Sequence, residues 1–171
     1  MEKIVKLLFE AGSLKLVPRS GWFKIGIKEP ESVAEHSFRT ALIAFIITKI
    51  ETSDENKAMR AAFFALIHDL HESRTLDLHK VARRYTSVDS ERVRKEQLSI
   101  LELDMEEDLK DYVNDADKLE LLLQAKEYSE QISSAMIYVK ELEFKTETAK
   151  ELADIIRKSD HRWWLDFEVH M

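Results

Sequence analysis

All three glycines and both prolines of this 171-residue chain fall between Gly12 and Glu31. The long remainder lacks the residues that most readily break a helix or close a tight turn, which argues against a turn-rich all-β fold. Its apolar residues recur at helical spacing instead. The periodicity predicts helices over 2–11, 32–51, 55–70, 77–85, 89–103, 106–128, 130–143 and 146–159. Ser32-x-x-Glu35 reads as a capping box and Asp54 as an N-cap. The expected fold class is all-α. The segment from Gly12 to Glu31 is long for an irregular connection in a compact domain, and is expected to be a functional loop.

The length suits one domain with a sizeable core. Lys and Arg total 26 against 33 Asp and Glu, a net charge of −7. That balance disfavours a partner that is a nucleic acid polymer, which calls for a basic stripe. The one basic run (Arg83, Arg84, Arg92, Arg94, Lys95) is interleaved with Asp89, Glu91 and Glu96, as on a solvated helix face. The chain has no Cys, so disulfides, thiolate nucleophiles and cysteine-based zinc sites are excluded. No apolar run is long enough for a membrane span, and Met1 to Glu10 lacks the layout of a cleavable signal. A cytoplasmic protein with no membrane partner is expected.

Three helices carry ionisable residues on faces that should be buried. His36 shares a stripe with Val33, Thr40, Ile43 and Ile47. Ala58, Ala61, Ala62 and Ala65 form a small-residue stripe that leads to His68 and Asp69. Val113, Asp117 and Leu121 share a third line. Small residues let helices approach closely, so these stripes could bring His36, His68, Asp69 and Asp117 to one point. Taken singly, His36 could be a satisfied core histidine and each Asp a salt-bridge partner. Taken together, two buried carboxylates are costly unless a cation joins them. Two imidazoles and two carboxylates suit one divalent transition metal ion (Mn, Fe, Co, Ni or Zn).

The order His36, His68-Asp69, Asp117 resembles the H…HD…D pattern of HD-domain metal-dependent phosphohydrolases. Pro18-Arg19, Gly21-Trp22, the run Pro30-Glu31-Ser32-Val33-Ala34-Glu35-His36-Ser37, and His68-Asp69-x-x-Glu72-x-x-x-x-Asp77 are similar to the 5'-deoxynucleotidase subgroup. Asp115-Ala116-Asp117-Lys118-Leu119 resembles its last-ligand helix. The likeness runs from about residue 3 to 128, with a less distinctive helical tail over 129–171. It implies a single HD-domain helical bundle over residues 1–171. Where that subgroup has Gly before the Asp77 position and a small residue two places after it, this chain has Leu76 and His79.

The resemblance also implies roles. His36, His68, Asp69 and Asp117 would hold the metal. Glu72 would orient or deprotonate the attacking water, and Asp77 would contact the sugar or protonate the leaving oxygen. Arg19 would clamp the phosphate, Trp22 would wall the pocket, and Lys118 could reach the phosphate or pair with Asp115 or Glu120. His71 and His79 read as surface histidines. The implied enzyme is a metal-dependent phosphomonoester hydrolase that converts deoxyribonucleoside 5'-monophosphates to deoxyribonucleosides and phosphate, acting as a homodimer. Rival readings are an HD phosphohydrolase for another phosphoester or a cyclic nucleotide, and a non-catalytic nucleotide-binding regulatory module. The C-terminal cluster of Trp163, Trp164, Leu165 and Phe167 is expected on the core or across a subunit contact.

Overall fold

The computed structural model describes residues 1–104 and 106–167. Among these residues the architecture is all-α, with one isolated bridge between Pro18 and Ser32. The helices are α1 (Glu2–Ser13), α2 (Val33–Thr52), α3 (Glu55–Leu66), α4 (Glu72–Thr75), α5 (Lys80–Arg83), α6 (Ser90–Ile100), α7 (Lys110–Tyr128), α8 (Ala135–Tyr138) and α9 (Glu147–Lys158). No helix is long and apolar enough to cross a membrane.

The main core lies where α2, α3, α7 and α9 meet. Ile43, Ala44, Ile47, Ala61, Phe64, Ala65, Ala116, Leu119 and Leu122 are buried there. The alanines of α3 remove side-chain bulk on its inner face, and α2 and α3 pack as a close antiparallel pair. A smaller core joins Leu7, Leu14, Val17, Val33 and Leu70, and Ile67 packs against both. The turn carrying His68 and Asp69 is therefore pinned on two sides.

The outer face of helix α2 shows Phe38, Leu42, Ile46 and Ile50 at successive fourth positions. Met59, Phe63 and Leu66 form a similar exposed line on α3. Trp163 meets Trp164 and Phe167 edge-on, and these three with Leu165 stay exposed rather than joining the core.

Several elements are shorter than the periodicity predicts. Helix α3 stops at Leu66 instead of 70, and residues 67–71 form a turn. The His68 ring donates its Nδ1–H to the Ala65 carbonyl at 2.6 Å, taking an acceptor that a continuing helix would use. The stretches expected over 77–85 and 130–143 keep only the four-residue helices α5 and α8. Helix α1 runs on through Gly12 and Ser13, and the rest of the segment to Glu31 is irregular as expected, apart from two 3₁₀ turns, Leu14–Leu16 and Ser20–Ile25.

Candidate active site

The capping box at Ser32 is fully formed: the Ser32 side chain accepts from the Glu35 N–H at 3.2 Å, and Glu35 accepts from the Ser32 N–H at 2.7 Å. It sets where α2 begins and so places His36 one turn in, fully buried. The turn after α3 supplies His68 and Asp69, and the middle of α7 supplies Asp117. The four meet. His36, His68 and Asp69 offer ligand atoms that all lie within 4.8 Å of one another. Asp117 Oδ1 stands beside them, 3.1 Å from His36 Nε2 and 3.8 Å from His68 Nε2.

The imidazoles are oriented for ligation. His36 Nδ1 faces Glu120 Oε2 at 2.5 Å, and His68 Nδ1 is bound to the Ala65 carbonyl, so both Nε2 atoms point at the carboxylates. His68 Nε2 is buried and has no hydrogen-bond partner, although Asp69 Oδ2 lies 3.2 Å away. An orphaned imidazole nitrogen among two carboxylates and a second imidazole fits a divalent transition metal.

Electrostatics point the same way. Burial opposes a charged His68, yet Asp69 and Asp117 outweigh it and push its pKa up to about 10. Burial likewise works against ionised Asp69 and Asp117, but His68 with Arg19 holds the Asp69 carboxyl, and His36 with His68 the Asp117 carboxyl, well below the usual range. Arg19 adds a second cation, 3.2 Å from Asp69 Oδ2 and 3.9 Å from Asp117 Oδ1. Glu72 is the opposite case. Burial, then Asp69 and Asp77, push its carboxyl up to about 9, and its Oε2 has no partner.

A cavity of about 260 Å³ opens beside this cluster, lined by Arg19, Trp22, Asp69, Glu72, Asp77 and Asp117 together with Lys80, Arg83, Leu121 and Tyr138. Trp22 is both wall and core: it is 1% exposed, donates its indole N–H to Glu31 at 3.2 Å, and packs edge-on against Tyr128. Lys118 does not line the cavity, because its amine donates to the Glu143 carbonyl at 2.6 Å and lies 3.8 Å from Asp115.

Asp77 reaches the cavity through an interlock. Its Oδ2 accepts from the Ser20 N–H at 2.7 Å, the Ser20 hydroxyl donates to the Asp77 carbonyl, and the His79 N–H donates to Ser20 Oγ at 3.0 Å. The loop with Arg19 and Trp22 is thereby tied to the loop with Asp77. Just before it, Leu76 adopts φ +61°, ψ 162°, a region that favours glycine. Leu76 is more than half exposed, so little packing offsets that strain. Leu76→Gly should raise stability by about 1 kcal/mol, relief of ~1–3 kcal/mol of strain less the entropy a glycine loses on folding. A thermal melt with no increase would show that the backbone is unstrained there.

Sequence reasoning missed three participants. Glu120 and Arg39 form a layer behind His36, and Glu31 closes the far side, within 4.8 Å of the His36 and Glu120 ligand atoms. The signal was present: Arg39 follows His36, and Glu120 follows Asp117, by three residues on facing helices. The histidines read as surface residues are also placed differently. His71 is buried with Nδ1 unpartnered, and half-buried His79 caps α5 by accepting the Ala82 N–H at 3.0 Å.

The model of the HD domain family matches residues 11–114. The chain belongs to the HD domain family. Curated relatives include a 5'-deoxynucleotidase of Bos taurus, 29% identical and aligned over 74% of this chain and 68% of that protein. The 5'-deoxynucleotidase of Dictyostelium discoideum is 30% identical over 70% of this chain and 74% of its own length. Among solved structures, a crystal structure from a genomics programme is 52% identical with a TM-score of 0.90, and an Archaeoglobus fulgidus protein is 44% identical with a TM-score of 0.80; each alignment covers 96% of this chain and 99% of the other. The HD phosphohydrolase DatZ of cyanophage S-2L, solved with dA and one catalytic Zn²⁺ ion, shares the fold at a TM-score of 0.61 and 19% identity, over 88% of this HD chain and 94% of that one.

Proposed function

We propose that this HD-domain chain is a metal-dependent 5'-deoxynucleotidase that hydrolyses deoxyribonucleoside 5'-monophosphates in the cytoplasm. One observation carries the reading: the His36, His68, Asp69 and Asp117 cluster opens onto the same cavity as Arg19, Glu72 and Asp77. The relatives named 5'-deoxynucleotidases support the substrate class.

When bound at that cluster, a divalent ion would polarise a phosphoryl oxygen, acidify a water and, as positive charge beside Asp69, draw Glu72 toward its ionised form. The chain's own residues do the rest. Arg19, in reach of both Asp69 and Asp117, presents a planar guanidinium that clamps two phosphoryl oxygens. Glu72 Oε2, buried and unpartnered, accepts the proton of the attacking water. The water oxygen bonds to phosphorus, the bond to the sugar 5'-oxygen breaks, and that oxygen takes the proton that Glu72 received from the water. Asp77 keeps one carboxylate oxygen for the sugar while Ser20 holds the other. Trp22 and its neighbours close the pocket where an added 2'-hydroxyl would lie unpaired.

The test is phosphate release from matched deoxy and ribo 5'-monophosphates with several divalent ions. A deoxy preference of about a hundredfold is expected, the scale on which an apolar wall rejects a hydroxyl, with little dependence on the base. Equal rates on both sugars would remove the deoxynucleotidase assignment and leave a broader phosphohydrolase.

The proposal extends to a homodimer. The exposed apolar lines on α2 and on α3 are surface of the kind that a second copy covers. Light scattering should then give twice the 20.0 kDa chain mass; a monomer at micromolar concentration would exclude it.

A further inference from the structure

We infer that Glu120 is a positioning residue for the metal ligand His36, with Arg39 as its counter-charge. The inference rests on the metal-dependent reading above and concerns what stands behind the ligands.

Glu120 is fully buried on α7, and its two oxygens are fully committed. Oε2 lies 2.5 Å from His36 Nδ1, and Oε1 accepts from Arg39 Nε at 2.9 Å and Nη2 at 2.8 Å. The Arg39 fork is itself fixed, since Nη2 also donates to Gln124 and Nη1 to Glu127. A buried carboxylate is tolerated only when paired, so this one is placed with a dedicated cation.

The arrangement clamps one ring from both sides. Asp117 Oδ1 meets His36 Nε2 at 3.1 Å, while Glu120, one turn further along α7, holds Nδ1. An ionised carboxylate only accepts hydrogen bonds, so it requires a proton on Nδ1 and leaves the Nε2 lone pair for a metal. It also makes the imidazole a stronger donor to that metal. His68 receives no such charge, because its Nδ1 meets a backbone carbonyl. The two histidine ligands are therefore unequal: His36 is the one whose affinity the protein sets through a charged partner. Glu31 also lies within 4.8 Å of the His36 and Glu120 ligand atoms, but its Oε1 accepts the Trp22 indole N–H and it makes no hydrogen bond to His36, whereas Glu120 does.

The test is cobalt(II) affinity, measured by chelator competition on the full chain. Glu120→Gln keeps the volume, but its amide cannot serve as acceptor to both His36 and Arg39. The dissociation constant should rise roughly 10–100-fold, the usual cost of removing such a partner. Glu127→Gln, which touches Arg39 but not His36, should stay within about twofold. Circular dichroism must show the helical content unchanged in both. Should Glu120→Gln fail to fold, the wild type decides alone: ¹⁵N NMR of the zinc-loaded chain should show His36 protonated at Nδ1. Wild-type cobalt affinity in folded Glu120→Gln, or His36 lacking the Nδ1 proton, overturns the inference. Failure of the wild type to bind either ion would instead remove the metal-dependent reading beneath it.

Discussion

Chelation should abolish phosphate release, and adding back a divalent transition metal should restore it. His68→Ala and Asp69→Ala should each lower activity by at least roughly a thousandfold, because the metal supplies several kcal/mol of transition-state charge stabilisation. Metal analysis should show the ion lost from both variants. Full activity in exhaustively chelated protein would end the metal-dependent model. The carboxylates do not face each other uncompensated in the chelated chain: Arg19 lies between Asp69 and Asp117, and the raised pKa values of His36 and His68 favour a bound proton on each. Metal binding must displace those protons. Both histidine pKa values are raised, His68 to about 10, so affinity should climb as pH rises through neutrality toward that value. Holding the metal at ~1,000 times its dissociation constant should add about 4 kcal/mol to stability, visible as a higher melting temperature.

Glu72→Gln should keep the metal and the substrate affinity while turnover falls by roughly 10²–10⁴-fold, the scale of a positioned acid or base. The same substitution should stabilise the fold. Burial, with Asp69 and Asp77, raises the Glu72 pKa from 4.5 to about 9, so folding favours its protonated form. The stability this proton supplies is complete below the unfolded value and is lost as pH rises toward about 9. Above neutrality, then, the uncharged glutamine removes a growing penalty, and melting curves at pH 6 and pH 9 should diverge most at the higher value. Single-turnover kinetics and metal content separate the outcomes. Unchanged turnover would make Glu72 a structural carboxyl, and loss of the metal would make it a ligand. Coupled loss of activity and gain of stability marks a group strained for use.

By itself the sequence determined the all-α class and singled out the four residues that the fold brings together as candidate ligands. Helical periodicity states which face of each segment is apolar, and His36 lies on that face of α2 among Val33, Thr40, Ile43 and Ile47. The capping box at Ser32 is a local interaction and is present as written. The glycines and prolines marked the loop that holds Arg19 and Trp22 at the cavity. Only the tertiary structure decided how polar atoms meet. Glu120 pairs with His36 across 84 positions and with Arg39 across 81, and Ser20 locks Asp77 across 57. Such pairings depend on the rotation and separation of helix axes, which no local pattern records. The same holds for the end of α3, where a ring bonding back to Ala65 overrides the propensity of the segment. It holds too for Leu76, whose glycine-like conformation is imposed by the interlock that follows it. Periodicity reports what each helix hides; only packing chooses which hidden groups become partners.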